Sequence, residues 1–314
     1  MIEAIQKHAN QPAERRKIDA KNLKVNTGEL IVAEAPTPNE LDALAEKFQL
    51  DRGNLEDIAD IDEAPRLDHG ASHDYLYIRF PHAHRDGSTT TRPLLIVSGE
   101  TNLIMIFPVR PNPLEELLGE DSDFSTRSPQ AVILKLLMAI SVDYDVYIKG
   151  QNQSIKAIIT KMQRRKLENE DFVHFVLIED QINNFRSALM PTVPMLRRLA
   201  ESKYLSFTKN QQDLLEDIVL AAEQSIHLCN TNSARIVSIR EAYATLSNNS
   251  LNRTMKTLTV ATLMIAAPNL IFSMYGMNVD LPFQLENWGY SFTLMLAVIL
   301  IIVMVFWARH RRLF

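Results

Sequence analysis

The stretch LTVATLMIAAPNLIFSMYGMN, residues 258–278, decides how this chain is read. It carries no charged residue, and with its flanking turns it approaches the ~20 residues that a bilayer core of ~30 Å requires. Arg253 and Lys256 stand just before it. Between Gly150 and Gly276 the chain has no glycine, and its only prolines there are Pro191, Pro194 and Pro268. From Gln211 onward Leu214, Leu215, Ile218, Val219, Ala222, Ile226, Cys229, Ile236, Ile239, Tyr243 and Leu246 recur at spacings of three and four, the stripe of an amphipathic helix. One helix from about Lys209 to Gly276 would span roughly 100 Å at ~1.5 Å per residue, far longer than a globular core needs. Such a rod must link two places.

A second uncharged run, Ser291 to Trp307, follows after about fifteen residues, so the two spans form a hairpin. Arg253, Lys256, Arg309, Arg311 and Arg312 flank its outer ends, whereas the connecting loop has Asp280 and Glu286 and no Lys or Arg. The positive-inside bias places both termini in the cytoplasm of a multi-pass protein of the inner or plasma membrane.

The remainder of the 314 residues, with net charge −5 and 46% hydrophobic content, suffices for a cytosolic body. A slight acidic excess without a concentrated basic face excludes a nucleic-acid partner. The lone Cys229 forms no internal disulfide and reads as a core thiol in a reducing compartment. Met1 to Asn26 is polar and charged, so no cleavable signal is expected and the hairpin directs insertion.

The expected fold is an N-terminal cytoplasmic α/β layer, then a long-helix bundle, then a C-terminal two-helix transmembrane hairpin: an α-helical membrane protein divided at 1–125, 126–250 and 251–314. In the first part Leu30 to Val32, Tyr75 to Phe80, Leu94 to Val97 and Leu103 to Phe107 read as strands, with turns at Asp86-Gly87-Ser88 and Ser98-Gly99-Glu100. Thr37-Pro38-Asn39-Glu40 is a capping-box helix start, and Asp51 to Asp60 a second short helix. From Ser128-Pro129 one helix runs to about Lys166 and another from Asn169 to Leu199, with a break or kink expected at Pro191 and Pro194.

Several clusters invite a metal. His69, His73, His82 and His84 surround the Tyr75 strand with Asp68 and Asp74 near, but their spacing matches no zinc motif, and solvated strand-end histidines are the simpler reading. Glu56, Asp57, Asp60, Asp62 and Glu63 are either a solvated face or a cation-binding run. Asp213, Glu216 and Asp217 share one helix face, as plain surface charge or as holders of a hydrated divalent ion. No phosphate-binding loop, His-Glu-x-x-His pair or Gly-x-Ser-x-Gly elbow is present, so an enzyme is not indicated.

Within the first span Asn252, Met255, Thr259, Thr262, Ala266, Asn269 and Ser273 step along one face, ending beside Gly276. This is either a small-residue helix interface or the wall of a water-filled lumen, and the aligned amides favour the lumen. One helix encloses no pore. Several copies around an axis do.

These residues resemble the CorA-type divalent cation transporters. The resemblance rests on Tyr275-Gly276-Met277-Asn278 ending the first of two C-terminal spans, Asn252-Arg253-Thr254-Met255-Lys256-Thr257-Leu258-Thr259 before it, Trp288-Gly289-Tyr290 after it, and the basic tail from Arg309 with Leu313-Phe314. It implies a homopentamer in the bilayer, a first span lining the pore, and a selectivity filter of Gly276, Met277 and Asn278 at the outer mouth. It further implies interfacial acidic residues that sense the transported ion. Asp217 falls level with one such carboxylate, whereas a second acidic position falls on Leu220. The loop Val279-Asp280-Leu281-Pro282-Phe283-Gln284 lacks the Met-Pro-Glu-Leu stretch of many members, and Pro268-Asn269 departs from their Pro and Thr. Mg, Co, Ni and Zn stay open, with the intact tripeptide favouring Mg2+.

The expected function is therefore passive, potential-driven transport of hydrated Mg2+, Co2+ or Ni2+, with Mg2+ as cargo and regulator. The competing readings are a membrane-anchored oligomeric scaffold and a zinc-transporting relative. Mg2+ releases its waters reluctantly. A ring of Asn278 carbonyls would hold it through those waters, without the trap that carboxylates create.

Overall fold

The structure, a computed structural model, describes residues 1–314 except 21–22, 85–86, 100–102, 121, 165–168, 202–204, 280, 284–286 and 311–314. The chain divides into two compact units, Met1–Val237 and Ser238–Phe314.

The first unit is built on a seven-stranded sheet. Its strands are β1 (Ile2–Gln6), β2 (Glu14–Ile18), β3 (Leu30–Glu34), β4 (Arg66–His69), β5 (Asp74–Ala83), β6 (Thr89–Ser98) and β7 (Leu103–Phe107), in the order β2-β1-β3-β7-β6-β5-β4. All neighbours are antiparallel except β3 and β7, which pair in parallel with Leu30 opposite Leu103. That central pair is apolar on both faces, as strands covered from both sides must be.

On one face lie α1 (Pro38–Phe48) and α2 (Arg52–Glu56), which bury Leu41, Leu44, Leu55 and the adjacent Ile58 against Ile31, Tyr77, Leu95 and Ile106. The capping box forms as expected: Glu40 N–H donates to Thr37 Oγ1, and the Glu40 carboxylate accepts from Thr37 N–H at 2.8 Å. The expected second helix is α2 continued by a single 3-10 turn at 57–59. Against β4, β5 and β6 pack α4 (Pro129–Gln163) and α5 (Asn169–Leu199), which follow the short α3 (Asn112–Leu117). Ser128 caps α4 by accepting from Ala131 N–H, with Pro129 at the first turn. The buried Tyr144 hydroxyl donates to Arg79 O at 3.1 Å, pinning α4 to β5.

Residues 1–26, to which the sequence reading assigned no element, contain β1, which buries Ile2, Ala4 and Ile5, and β2, which pairs along it. The edge strand β2 carries Arg15, Arg16 and Lys17 because an edge contributes backbone pairing more than burial, and charge there discourages further strand addition. Of the break or kink expected at Pro191 and Pro194, the break is corrected: α5 continues as one helix through both. Buried Ala188, Leu189, Val193, Met195 and Leu196 hold it in place, offsetting the ~3 kcal/mol that each interior proline costs.

The helix α6 (Lys209–Tyr275) begins in the first unit and ends in the second, where α7 (Gly289–His310) follows. In the first unit its buried positions keep the heptad spacing of a bundle seam, and two of them, Ser225 and Asn232, are polar.

Candidate functional site

In the second unit α6 and α7 are long and apolar enough to cross a membrane, and of their most apolar stretches only 11% and 17% is buried within the chain. They are not core helices of a soluble body. On α6 one face is covered: Val260 and Ile271 are buried, and Met264, Ala267, Pro268 and Tyr275 are half-buried. On α7 the buried positions are Gly289, Thr293, Ala297 and Ala308, small residues that allow close helix approach.

Asn252, Met255, Thr259, Thr262, Ala266, Asn269 and Ser273 are all exposed. At about 100° per residue they lie on the side of the helix roughly opposite the covered stripe. The Thr259 hydroxyl donates to Met255 O and that of Thr262 to Leu258 O, both at 2.9 Å. With their protons used inside the helix, these oxygens turn acceptor lone pairs outward, which suits a cation's water shell. The rest of the exposed surface is apolar, including Leu258, Ile265 and Leu270, as a lipid-facing side should be.

At the end of α6 Gly276 N–H donates to Phe272 O and Ser273 O, Met277 N–H donates to Met274 O, and Met277 and Asn278 are exposed. The Tyr275 hydroxyl donates to Pro282 O at 3.3 Å, tying the helix end to the loop. A Cβ on Gly276 would meet Phe272 O at 3.4 Å and Ser273 O at 3.5 Å, ordinary contacts, so this chain's own packing does not demand glycine. Phe272, Tyr275, Gly276, Gly289, Tyr290 and Thr293 line a pocket of about 300 Å3 beside it. Phe283, Trp288 and Phe292 stack with centroids 4.7 to 5.9 Å apart and brace the start of α7, as aromatic residues do at a membrane interface. This cluster was missed in sequence, where only the Trp288-Gly289-Tyr290 string stood out. Asp280, Glu286, Arg311 and Arg312 lie outside the described residues.

In the first unit Asp213, Glu216 and Asp217 are exposed on the side of α6 away from buried Leu215 and Ile218. Among the described residues no three His, Cys, Asp or Glu side chains are grouped to hold a metal ion within one chain. The histidines disperse: His69 pairs with buried Asp74 at 2.6 Å, His73 with Ser72, and His82 stacks edge-on with His84. The acidic run is drawn to arginine. Arg66 binds Asp57, Glu63 and Asp68 while lying 3.8 Å over the Tyr77 ring, and Arg79 lies 3.8 Å from Asp62. Cys229 is buried, and that burial pushes its thiol up to about 11, so it is inert.

A model of the CorA-like Mg2+ transporter protein family matches residues 31–312. The chain belongs to that family. It is 24% identical over 287 residues, covering 88% of each chain, to the cobalt/magnesium transport protein CorA of Methanocaldococcus jannaschii. The solved structure of the CorA magnesium transporter from that organism superposes with a TM-score of 0.84 at 21% identity, covering 98% of this chain and 97% of the other. The ZntB cytoplasmic domain from Vibrio parahaemolyticus matches with a TM-score of 0.64 at 9% identity, over 79% of this chain and 98% of that one. The CorA fold of an α/β soluble domain, a long helix and two C-terminal apolar helices is therefore this chain's fold.

Proposed function

We propose that the protein is a homopentameric pore for passive, potential-driven entry of hydrated Mg2+, with both termini cytoplasmic. The observation that carries this reading is the polar, small-residue face of α6, left exposed while another face packs within the hairpin, and ending at Gly276-Met277-Asn278. Five copies would turn these faces to one axis, with the Asn278 carbonyls meeting the ion's waters at the mouth. Such contacts are weak enough to release a divalent ion. An inside-negative potential supplies about 2.3 kcal/mol per charge per 100 mV, hence roughly 4.6 for Mg2+.

Each part of the chain has its own role, with 1–125 as the α/β body, 126–250 as the helices that carry a signal, and 251–314 as the pore. Asp213, Glu216 and Asp217 are the regulatory site, completed by a neighbouring copy. Leu220, 56% exposed on the same face, supports a neighbour there because a solvated face has no use for it.

The test is uptake into vesicles reconstituted with the full chain, under a potassium diffusion potential, with Mg2+, Co2+, Ni2+ and Zn2+ in parallel. Mg2+ uptake that rises with an inside-negative potential is expected. No uptake of any ion would leave a scaffold. Likeness to the ZntB domain favours zinc as the second reading, and uptake of Zn2+ in place of Mg2+ would establish it.

A further inference from the structure

The seam between α4 and α6 is apolar except at Ser225 and, two turns further along, at a level where amides meet. Going down α6 it passes Ala222, Ser225, Cys229, Asn232 and Ile236, and going down α4 Tyr144, Ile148, Gln151 and Ile155. Asn232 is 1% exposed and Gln151 6%. Gln151 Nε2 donates to Gln181 Oε1 of α5 at 3.3 Å, so amides from three helices occupy this part of the bundle. Among the described residues Asn232 Nδ2 and Gln151 Oε1, a donor and an acceptor, have no hydrogen-bond partner.

The two amides are close in level. Arg235, three residues beyond Asn232, donates to Asn152, the residue after Gln151, at 2.8 Å. Asn232 and Gln151 therefore lie in the same part of the seam, one on each side of it. Buried polar groups nearly always find partners, and a single buried amide in a heptad seam specifies register at the expense of stability. Here the amides sit in the seam with their complementary atoms unjoined.

We propose that Gln151, Gln181 and Asn232 form a two-seat register point, at which α6 shifts along the α4–α5 hairpin between the seating seen here and one in which Asn232 donates to Gln151. The apolar residues on either side, Cys229 and Ile236 with Ile148 and Ile155, hold the present seating. The amide pair favours the other. Two opposed contributions of similar size make the contact bistable rather than continuously deformable. Because α6 is one helix from Lys209 to Tyr275, a shift at Asn232 is a movement of the same element that carries the polar face. That consequence rests on the transport reading, whereas the seating change does not.

Cross-linking tests it in the full-length protein. Asn152→Cys and Arg235→Cys are introduced with Cys229→Ala, and a short bis-thiol reagent measures how often the present seating is occupied. Adding Asn232→Leu removes the unjoined Nδ2 from that seating, and separately Gln151→Met removes the unjoined Oε1 together with the Gln181 hydrogen bond. Each is expected to speed cross-linking by about threefold or more, and Asn232→Leu to raise the thermal midpoint. Equal cross-linking rates in all three proteins, or a lower midpoint in Asn232→Leu as loss of a satisfied amide would give, overturns the proposal. Flux is read separately. Faster cross-linking in a protein that carries no ion would sink the transport reading and leave the register point standing, and unchanged cross-linking with normal flux would do the reverse.

Discussion

Asn278 is exposed at the end of α6, so replacing it disturbs little that the chain itself packs. Asn278→Ala should lower Mg2+ flux by about tenfold or more, through loss of the carbonyl ring, while the assembly stays intact by size-exclusion chromatography. Flux within twofold of the parent at equal protein content would remove Asn278 from the filter. A second residue couples to pH. Asp143 on α4 is half-buried, and that burial, with Glu116 nearby, pushes its carboxyl up to about 6. Since the folded value lies above the unfolded one, the neutral form is favoured by folding. The stability this contributes is complete at acid pH and is lost as pH rises from about 4 to about 6. Asp143→Asn should therefore be more stable than the parent at pH 7.5, by about 1 kcal/mol after discounting for solvent screening, with no gain near pH 3.5. Denaturation of the detergent-solubilised protein at both pH values checks this, and a variant less stable at pH 7.5 would contradict it.

At the scale of elements, α6 carries different faces along its last third. Single cysteines at Thr259, Thr262, Ala266, Asn269 and Ser273, in a Cys229→Ala background, should react with a small water-soluble thiol reagent faster than cysteines at Leu263, Leu270 or Ile271. Ile271 is the sharpest control, because it is buried within the hairpin. Equal labelling would make the polar face a helix interface. The face itself was legible in sequence, since its members recur every three or four residues. Which face α7 covers was not, because that depends on Gly289, Thr293 and Ala297 meeting it, and helical periodicity alone does not say which of two stripes a neighbour will choose. The prolines of α5 show the same limit: Pro191 and Pro194 lower local helix propensity, but the burial that outweighs them comes from residues elsewhere in the chain.

For the whole molecule the proposed transport poses the question whether the first unit limits flux. An ion that binds one arrangement better than another shifts the balance by its differential affinity and no more. Asp213→Asn, Glu216→Gln and Asp217→Asn together should raise the Mg2+ concentration at which the protein becomes protease-resistant, by about fivefold or more, and relieve inhibition of flux over the same range. Protection at an unchanged Mg2+ concentration would show that these three residues are not the sensor. They are exposed on α6, and among the described residues no metal cluster forms within one chain, so the proposed site would be completed by a neighbouring copy.

Taken alone, the sequence determined the two spans, the polar stripe, the Thr37 capping box, the Ser128-Pro129 helix start and the ordered run of core strands. These depend on neighbours within a few residues, or on the requirement of a bilayer for an uncharged run, so local chemistry suffices. Tertiary structure alone decided the inner strand β1 and the edge strands β2 and β4, the pairing of Leu30 with Leu103, the capture of the acidic run by Arg66 and Arg79, and the burial of Asn232 in the seam. Each of these is settled by a partner that the fold, rather than helical or strand periodicity, brings alongside. A charged strand is stabilised by the backbone beside it, and a buried amide is buried by the helices around it, and neither is written in the residue's own neighbourhood.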